Sequence, residues 1–214
     1  SLAEAVRYLE QALMLDPDYA AAMALAANCY GERAFQGWAR DAAAETAKGL
    51  HLATHALELG QDDGNVLWMV AHATLRLAMD RERAKELAYS SLALNPNSAI
   101  AMTIAGLTEA MSGYPGKAIE LLRRAQRLSP RDPRGWLTAA ALSLAYLTEG
   151  QFEEAASSAK RSLMHNPRFG APLQVLAASL AKLGQREKAD AAIQQLLKIE
   201  PQLSLSRLRA RLMF

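Results

Sequence analysis

The chain has 214 residues, 51% of them hydrophobic but only 6% aromatic, and a formal net charge of +2. Alanine makes up about a fifth of it, and no run rich in Val, Ile and Thr reads as a strand, so an all-helical fold is expected. A single cysteine, Cys29, excludes an intrachain disulfide, and no apolar run approaches the ~20 residues that a membrane helix needs.

Taken in chain order, apolar periodicity predicts helices near 2–15, 19–33, 41–59, 65–79, 81–94, 98–112, 116–128, 134–148, 151–165, 169–183, 186–199 and 203–213. Gly113, Gly150 and Gly184 fall between predicted helices, where a helix end favours positive φ. Asn97 and Asp132 lie near helix starts as candidate caps, and Pro115 suits a first turn, where its missing N–H costs nothing. Pro96, Pro130, Pro167 and Pro201 each close a helix, and Pro17 closes an earlier one. Two of the gaps between the last four are 34 residues; the third is lengthened by the insertion Arg131–Pro133. A second irregularity, RAFQGWARDAAAETAK from Arg33 to Lys48, lengthens one helix pair before its second helix resumes near Gly49; Phe35 and Trp38 read as anchors for it.

A 34-residue period ending in proline resembles the helix–turn–helix unit of the tetratricopeptide repeat family over nearly the whole chain. With each proline as position 32, the small residue of position 20 is Ala5, Ala84, Ala118, Ala155 and Ala189, and position 27 is Ala12, Ser91, Ala125, Ser162 and Leu196. The bulky helix A residue survives as Trp68 and its later aromatic as Tyr30 and Tyr146, while the Leu-Gly pair is mostly replaced, leaving Gly106. The resemblance implies one right-handed superhelical solenoid of about six helix pairs spanning 1–214, with an irregular unit at about 33–48. Such a unit buries its apolar face only by stacking on neighbours, and the stack usually serves binding.

The resemblance also places helix A on the concave face. The groove positions then include Asn28, Val66, Met69, Arg76, Ile100, Thr103, Leu107, Leu137, Leu144 and Gln174, among alanines such as Ala140, Ala171 and Ala178. A clamp for a peptide carboxylate needs converging Lys, Arg and Asn, and here only Asn28 and Arg76 qualify. An open apolar groove of Met69, Ile100, Leu107, Leu137 and Leu144 is expected instead, covered by a partner's helix, an apolar segment or a second copy. On that reading Leu107→Asp with Leu144→Asp abolishes capture without unfolding the chain.

Other constellations read as ordinary structure. His51 and His55 share a helix face with Glu58, but no further ligand cluster accompanies them, and His72 and His165 stand apart. Neither metal nor cofactor is expected. The densest basic region runs through Arg123, Arg124, Arg127, Arg131 and Arg134 to Lys160, Arg161 and Arg168; with only Trp136 to stack a base, it argues for an acidic surface over nucleic acid. No phosphate loop, strand-borne nucleophile or carboxylate pair is present, so the chain is read as non-catalytic.

Charge is uneven: residues 1–64 carry four basic and ten acidic side chains (−6), and 65–214 carry twenty and twelve (+8), which suggests an oriented self-contact. Leu205, Leu208 and Leu212 share a helical face with Arg207, Arg209 and Arg211 beside it, and that tail reads as a cap or a segment that docks on a neighbour. Ser1 stands inside a repeat and no polar exit follows Met213-Phe214, so the chain reads as part of a longer protein, expected in a reducing cytoplasm. Stretches such as LALNPNSAIAMTIAG, RRAQRLSPRDPRGW and GQREKADAAIQQLLKIEPQLSLSRLR further resemble the C-terminal repeat regions of bacterial class III adenylate cyclase-like and winged-helix regulators. That narrower resemblance implies the regulatory arm of a signalling protein whose catalytic domain lies outside this chain.

Overall fold

A computed structural model of the chain describes residues 2–206 and 208, and these form eleven helices ending at Ile199, with no strand among the described residues. They are α1 (Leu2–Leu15), α2 (Ala20–Phe35), α3 (Ala42–Gly60), α4 (Gly64–Leu77), α5 (Arg81–Leu94), α6 (Ala99–Met111), α7 (Pro115–Leu128), α8 (Gly135–Thr148), α9 (Phe152–His165), α10 (Gly170–Lys182) and α11 (Arg186–Ile199). The predicted boundaries hold to about two residues. Of the predicted twelfth helix, residues 205, 206 and 208 are helical; Arg207, Arg209, Arg211, Leu212, Met213 and Phe214 lie outside the described residues, as does Ser1.

The chain divides into two compact units, Ser1–Asp132 and Pro133–Phe214. In the first, α2, α4 and α6 pack side by side as the A helices, and α3, α5 and α7 each follow their own A helix as its B partner. Here α1 is a B helix lying against α2. In the second unit α8 pairs with α9 and α10 with α11, and α10 also packs on both α8 and α9. The A helices are buried along most of their length, whereas B helices such as α5, α7 and α9 bury only one stripe.

The repeated small residues explain the close helix approach. Ala84, Ala118, Ala155 and Ala189 are buried, and Ala5 is half-buried. Gly106 plays the matching part on α6: a Cβ there would meet Cγ of Leu122 at 2.6 Å, so the α7 leucine occupies the space a side chain would need. Position 27 carries a polar link where it is serine. Ser91 Oγ donates to the Gly64 carbonyl at 2.7 Å, and Ser162 Oγ donates to the Trp136 carbonyl at 2.8 Å. Each ties a B helix to the first turn of its own A helix, inside a core where an unpaired hydroxyl would be costly.

Turn chemistry is partly as expected. The A-to-B turns close with positive φ at Gly113 (84°), Gly150 (81°) and Gly184 (74°), and Pro115 begins α7. The caps differ. Ser98, not Asn97, accepts from the Ala101 N–H at the start of α6, because Asn97 sits one residue early, its own N–H turned to Asn95 Oδ1. At α8 the N-cap position falls to Arg134, which makes no side-chain cap bond, and the Asp132 N–H closes a turn onto the Ser129 carbonyl at 3.2 Å. Besides Ser98, the side chains of Asp41, Asp63 and Asp80 cap α3, α4 and α5.

The irregular segment resolves into an extended α2, a turn through Gly37 at φ 71°, and a 19-residue α3. It is fastened by ion pairing. Arg33 grips both carboxylate oxygens of Glu45 at 2.7 Å, and the Arg40 N–H donates to the same carboxylate at 3.0 Å. Trp38 does not anchor it: the indole is 46% exposed, because the turn carries it outward, and Phe35 packs against α4 instead.

Candidate functional site

The expected groove positions fall on the A helices, but the structure opens them unevenly. In the first unit Val66, Met69, Thr103 and Leu107 are buried, and Asn28, Arg76 and Ile100 are half-buried. The cause is direct packing of α2 on α4 and α4 on α6, which draws these side chains between neighbouring A helices. An apolar groove that is open throughout is therefore not what this unit presents. In the second unit Leu137 is buried, while Leu144, Gln174, Ala140 and Ala171 are half-buried and Ala178 is exposed. There α8 and α10 leave a shallow face of small and apolar side chains accessible.

Leu107 is buried and cannot serve as a surface probe: an aspartate there would place a carboxylate in the core and test folding as much as binding. Leu144, half-buried, remains suitable.

Arg76 does not join Asn28 in a clamp. Its Nε lies 3.5 Å from Glu32 Oε1 and donates to His72 Nε2 at 3.3 Å, while its guanidinium stacks over the Phe35 ring at 3.6 Å. His72 Nε2 is itself 3.4 Å from Glu32 Oε1. Burial pushes the Arg76 guanidinium below its ordinary pKa, and Glu32 pulls against that shift. The cluster thus spends the groove's one cation on holding α2 to α4. Its sequence signal was two helix-face pairs, Glu32 with Phe35 and His72 with Arg76, which nothing local couples.

Two further clusters escaped sequence reasoning, and they are built alike. Tyr89 of α5 donates to Glu109 of α6 at 2.7 Å, and Lys117 of α7 pairs with the same carboxylate at 2.9 Å while its ammonium lies over the Tyr89 ring. Burial alone would raise the Glu109 carboxyl; the hydrogen bonds from Lys117 and Tyr89, with Lys85 further off, outweigh it and hold the group below its ordinary value. At the other end, Tyr30 of α2 donates to Glu10 of α1 at 2.8 Å, Lys48 of α3 pairs with Glu10, and its ammonium again lies over the tyrosine ring. Each triad bridges two successive B helices across an A helix. A cleft of about 360 Å³ lined by Lys85, Tyr89, Glu109, Tyr114 and Lys117 opens beside the first, with Lys117 paired to Glu109 and Lys85 to Glu82 outside the lining.

The remaining candidates stay apart. The His51 and His55 rings stand 6.3 Å from one another, and among the described residues no group of three or more His, Cys, Asp or Glu is placed to hold a metal ion. Cys29 is buried, and burial together with Glu32 pushes its thiol up to about 11, away from reactive thiolate chemistry. No helix among the described residues is long and apolar enough to cross a membrane.

Helix pairs stacked through alanine stripes and closed by proline turns are the architecture of a helical-repeat fold. The tetratricopeptide repeat family model matches residues 146–212, and the rest of the chain shares the fold. Among solved structures, the chain is similar over its whole length to the APC/C hetero-tetramer Cut9-Hcn1, with a TM-score of 0.75 and 18% identity. It spans 40% of that matched chain. It also resembles MamA 41-end from Desulfovibrio magneticus RS-1, with a TM-score of 0.55 and 20% identity over 83% of this chain and 97% of that one. MamA AMB-1 is similar at a TM-score of 0.54 and 21% identity, over 81% and 96%. No curated protein matches the chain. The narrower likeness to cyclase-linked and winged-helix regulators finds no support in these matches.

Proposed function

We propose that the chain is a non-catalytic scaffold that binds a helical or apolar protein segment on its A-helix faces, with the face of α8 and α10 as the principal site. The observation that carries this reading is the contrast in exposure: Leu144, Ala140, Ala171, Gln174 and Ala178 stay accessible on two adjacent A helices, where their first-unit counterparts Met69, Ala73 and Leu107 are sealed. A shallow apolar face with one amide at its edge suits the apolar stripe of an amphipathic helix, whose anchors recur every three or four residues. Ile100 and Asn28 offer a smaller accessory contact on the first unit.

The test is selection of amphipathic-helix peptides against the purified chain, followed by titration of the best binder into variants. Leu144→Asp is expected to weaken binding at least about tenfold, equivalent to ~1.4 kcal/mol, with helical content unchanged by circular dichroism. Ile100→Asp should cost less. Equal binding by wild type and Leu144→Asp would remove the α8–α10 face as the site.

A further inference from the structure

The scaffold reading leaves two opposite charge concentrations of the first unit unexplained. Of the ten acidic side chains in residues 1–64, Glu10, Glu32 and Glu45 are ion-paired with Lys48, Arg76 and Arg33, which also accounts for two of the four bases, Arg33 and Lys48. The seven acidic and two basic side chains that remain are all exposed, a net −5 on the outside of this region. Two exposed B-to-A turns concentrate it: Asp16 and Asp18 lead into α2, and Asp62 precedes α4. These turns share one edge, since a Cβ on Gly60, at the end of α3, would lie 3.2 Å from Ala20 Cβ and 2.9 Å from Val66 Cγ2. Beside the acids stand Met14 and Leu15, 74% and 89% exposed.

The α7 end of the same unit is the complement. Arg124, Arg127 and Arg131 are exposed at a spacing of three and four residues, and Glu120 is the only acid between Ala118 and Arg131. Arg124 donates to the Pro96 carbonyl at 3.3 Å, which sets it against the B-to-A turn between α5 and α6. Exposed Leu128 adjoins it. Each patch thus pairs one sign of charge with an uncovered apolar side chain, and no aromatic residue lies between Ala118 and Arg131 to stack a nucleic-acid base.

We propose that the two patches dock on each other between copies of this chain: the Asp16, Asp18 and Asp62 edge of one copy meets Arg124, Arg127 and Arg131 of the next. Resting on the reading of the chain as a scaffold, it names one of its partners as a second copy. The contact uses different surfaces on the two copies, so it is heterologous and leaves an unused patch at each end; copies add in series. Charge complementarity of this kind sets register and association rate, and it is screened by salt.

Sedimentation velocity over a concentration series tests it, at about 0.01 M salt, where the Debye length is about 30 Å, and at about 1 M, where it is about 3 Å. At low salt the weight-average mass should rise with concentration to at least double the 23.2 kDa monomer, and at high salt it should return to the monomer. R124E/R127E/R131E should lose association, as should D16K/D18K/D62K; all six positions are exposed, so circular dichroism should match wild type. Mixing the two variants should restore association, because the arginine variant keeps its acidic edge for the other's arginines and its new glutamates face the other's new lysines. A wild-type monomer at every concentration in low salt overturns the proposal, as does association indifferent to both reversals. If wild type stays monomeric and the arginine variant instead loses binding to a single-stranded polynucleotide, the stripe is a nucleic-acid site and the proposal also falls. A peptide bound on the α8–α10 face by a monomeric wild type would sustain the groove reading without this one.

Discussion

The two units build the same helix pairs but hold them by different means. In the first, polar side chains cross from helix to helix: two Tyr–Glu–Lys triads, the Arg33–Glu45 fork, and Arg76 held between Glu32 and Phe35. In the second, the prominent links are apolar and neutral, with Trp136 edge-on to Phe169 at 5.2 Å and Ser162 on the Trp136 carbonyl. The first unit buries most of its A-helix face, Asn28 and Ile100 staying half-buried, while the second leaves more of α8 and α10 accessible. Polar links fix register between helices; small apolar side chains on an accessible face leave room for a ligand. The proposed capture face accordingly lies in the second unit.

The sharpest way to break this comparison is to remove the second unit's apolar peg. Phe169 is fully buried against Trp136, and Phe169→Ala is expected to cost about 3–5 kcal/mol in urea unfolding. Hydrogen exchange should rise in α8 to α11 first. A loss under about 1 kcal/mol would mean that the ring is not what holds this unit.

A smaller effect should appear in the first unit, and it depends on pH. Glu109→Ala leaves Tyr89 and Lys117 without their shared acceptor, and the expected cost near neutral pH is about 1–3 kcal/mol. In wild type, Glu10, Glu45 and Glu109 all titrate below the ordinary value of 4.5 when folded. Between the folded and unfolded values the unfolded chain binds more protons, so their stabilisation is complete above about 4.5 and is lost as pH falls through the folded values. Amide exchange in α1 to α3 and α5 to α7 should therefore accelerate on acidification more than exchange in α8 and α9. Uniform acceleration would erase the distinction between the units.

The smallest difference is expected where the units agree. Ser91→Ala and Ser162→Ala each remove one hydroxyl bond to an A-helix carbonyl, and each should cost about 1 kcal/mol. Values separated by more than about 1 kcal/mol would show that the shared position-27 link is not equivalent in the two units.

Much of this protein was legible in its sequence because the relevant signals are local. Helix boundaries follow from apolar periodicity, proline closes the B helices, glycine marks the A-to-B turns, and alanine at one register admits a close neighbour. Those constraints act within a few residues, so the all-helical repeat could be read directly, whereas the A-helix location of the candidate face was an implication of the family resemblance. Cap identity was lost by a single residue at Asn97 and Ser98, since a cap depends on where the chain leaves helical φ and ψ.

What tertiary structure alone decided is which face positions stay accessible and which charges are already used. Met69, Leu107 and Leu137 occupy groove positions by register, yet all three are buried. Arg76 reads as a clamp cation until Glu32, His72 and Phe35 surround it from two helices. Tyr89 and Glu109 are 20 residues apart, as are Glu10 and Tyr30, and each pair meets only once helices have stacked. Periodicity fixes the direction of a side chain about its own helix axis. The distance to the next helix, and with it burial and charge pairing, is set by the summed fit of side chains from several helices at once.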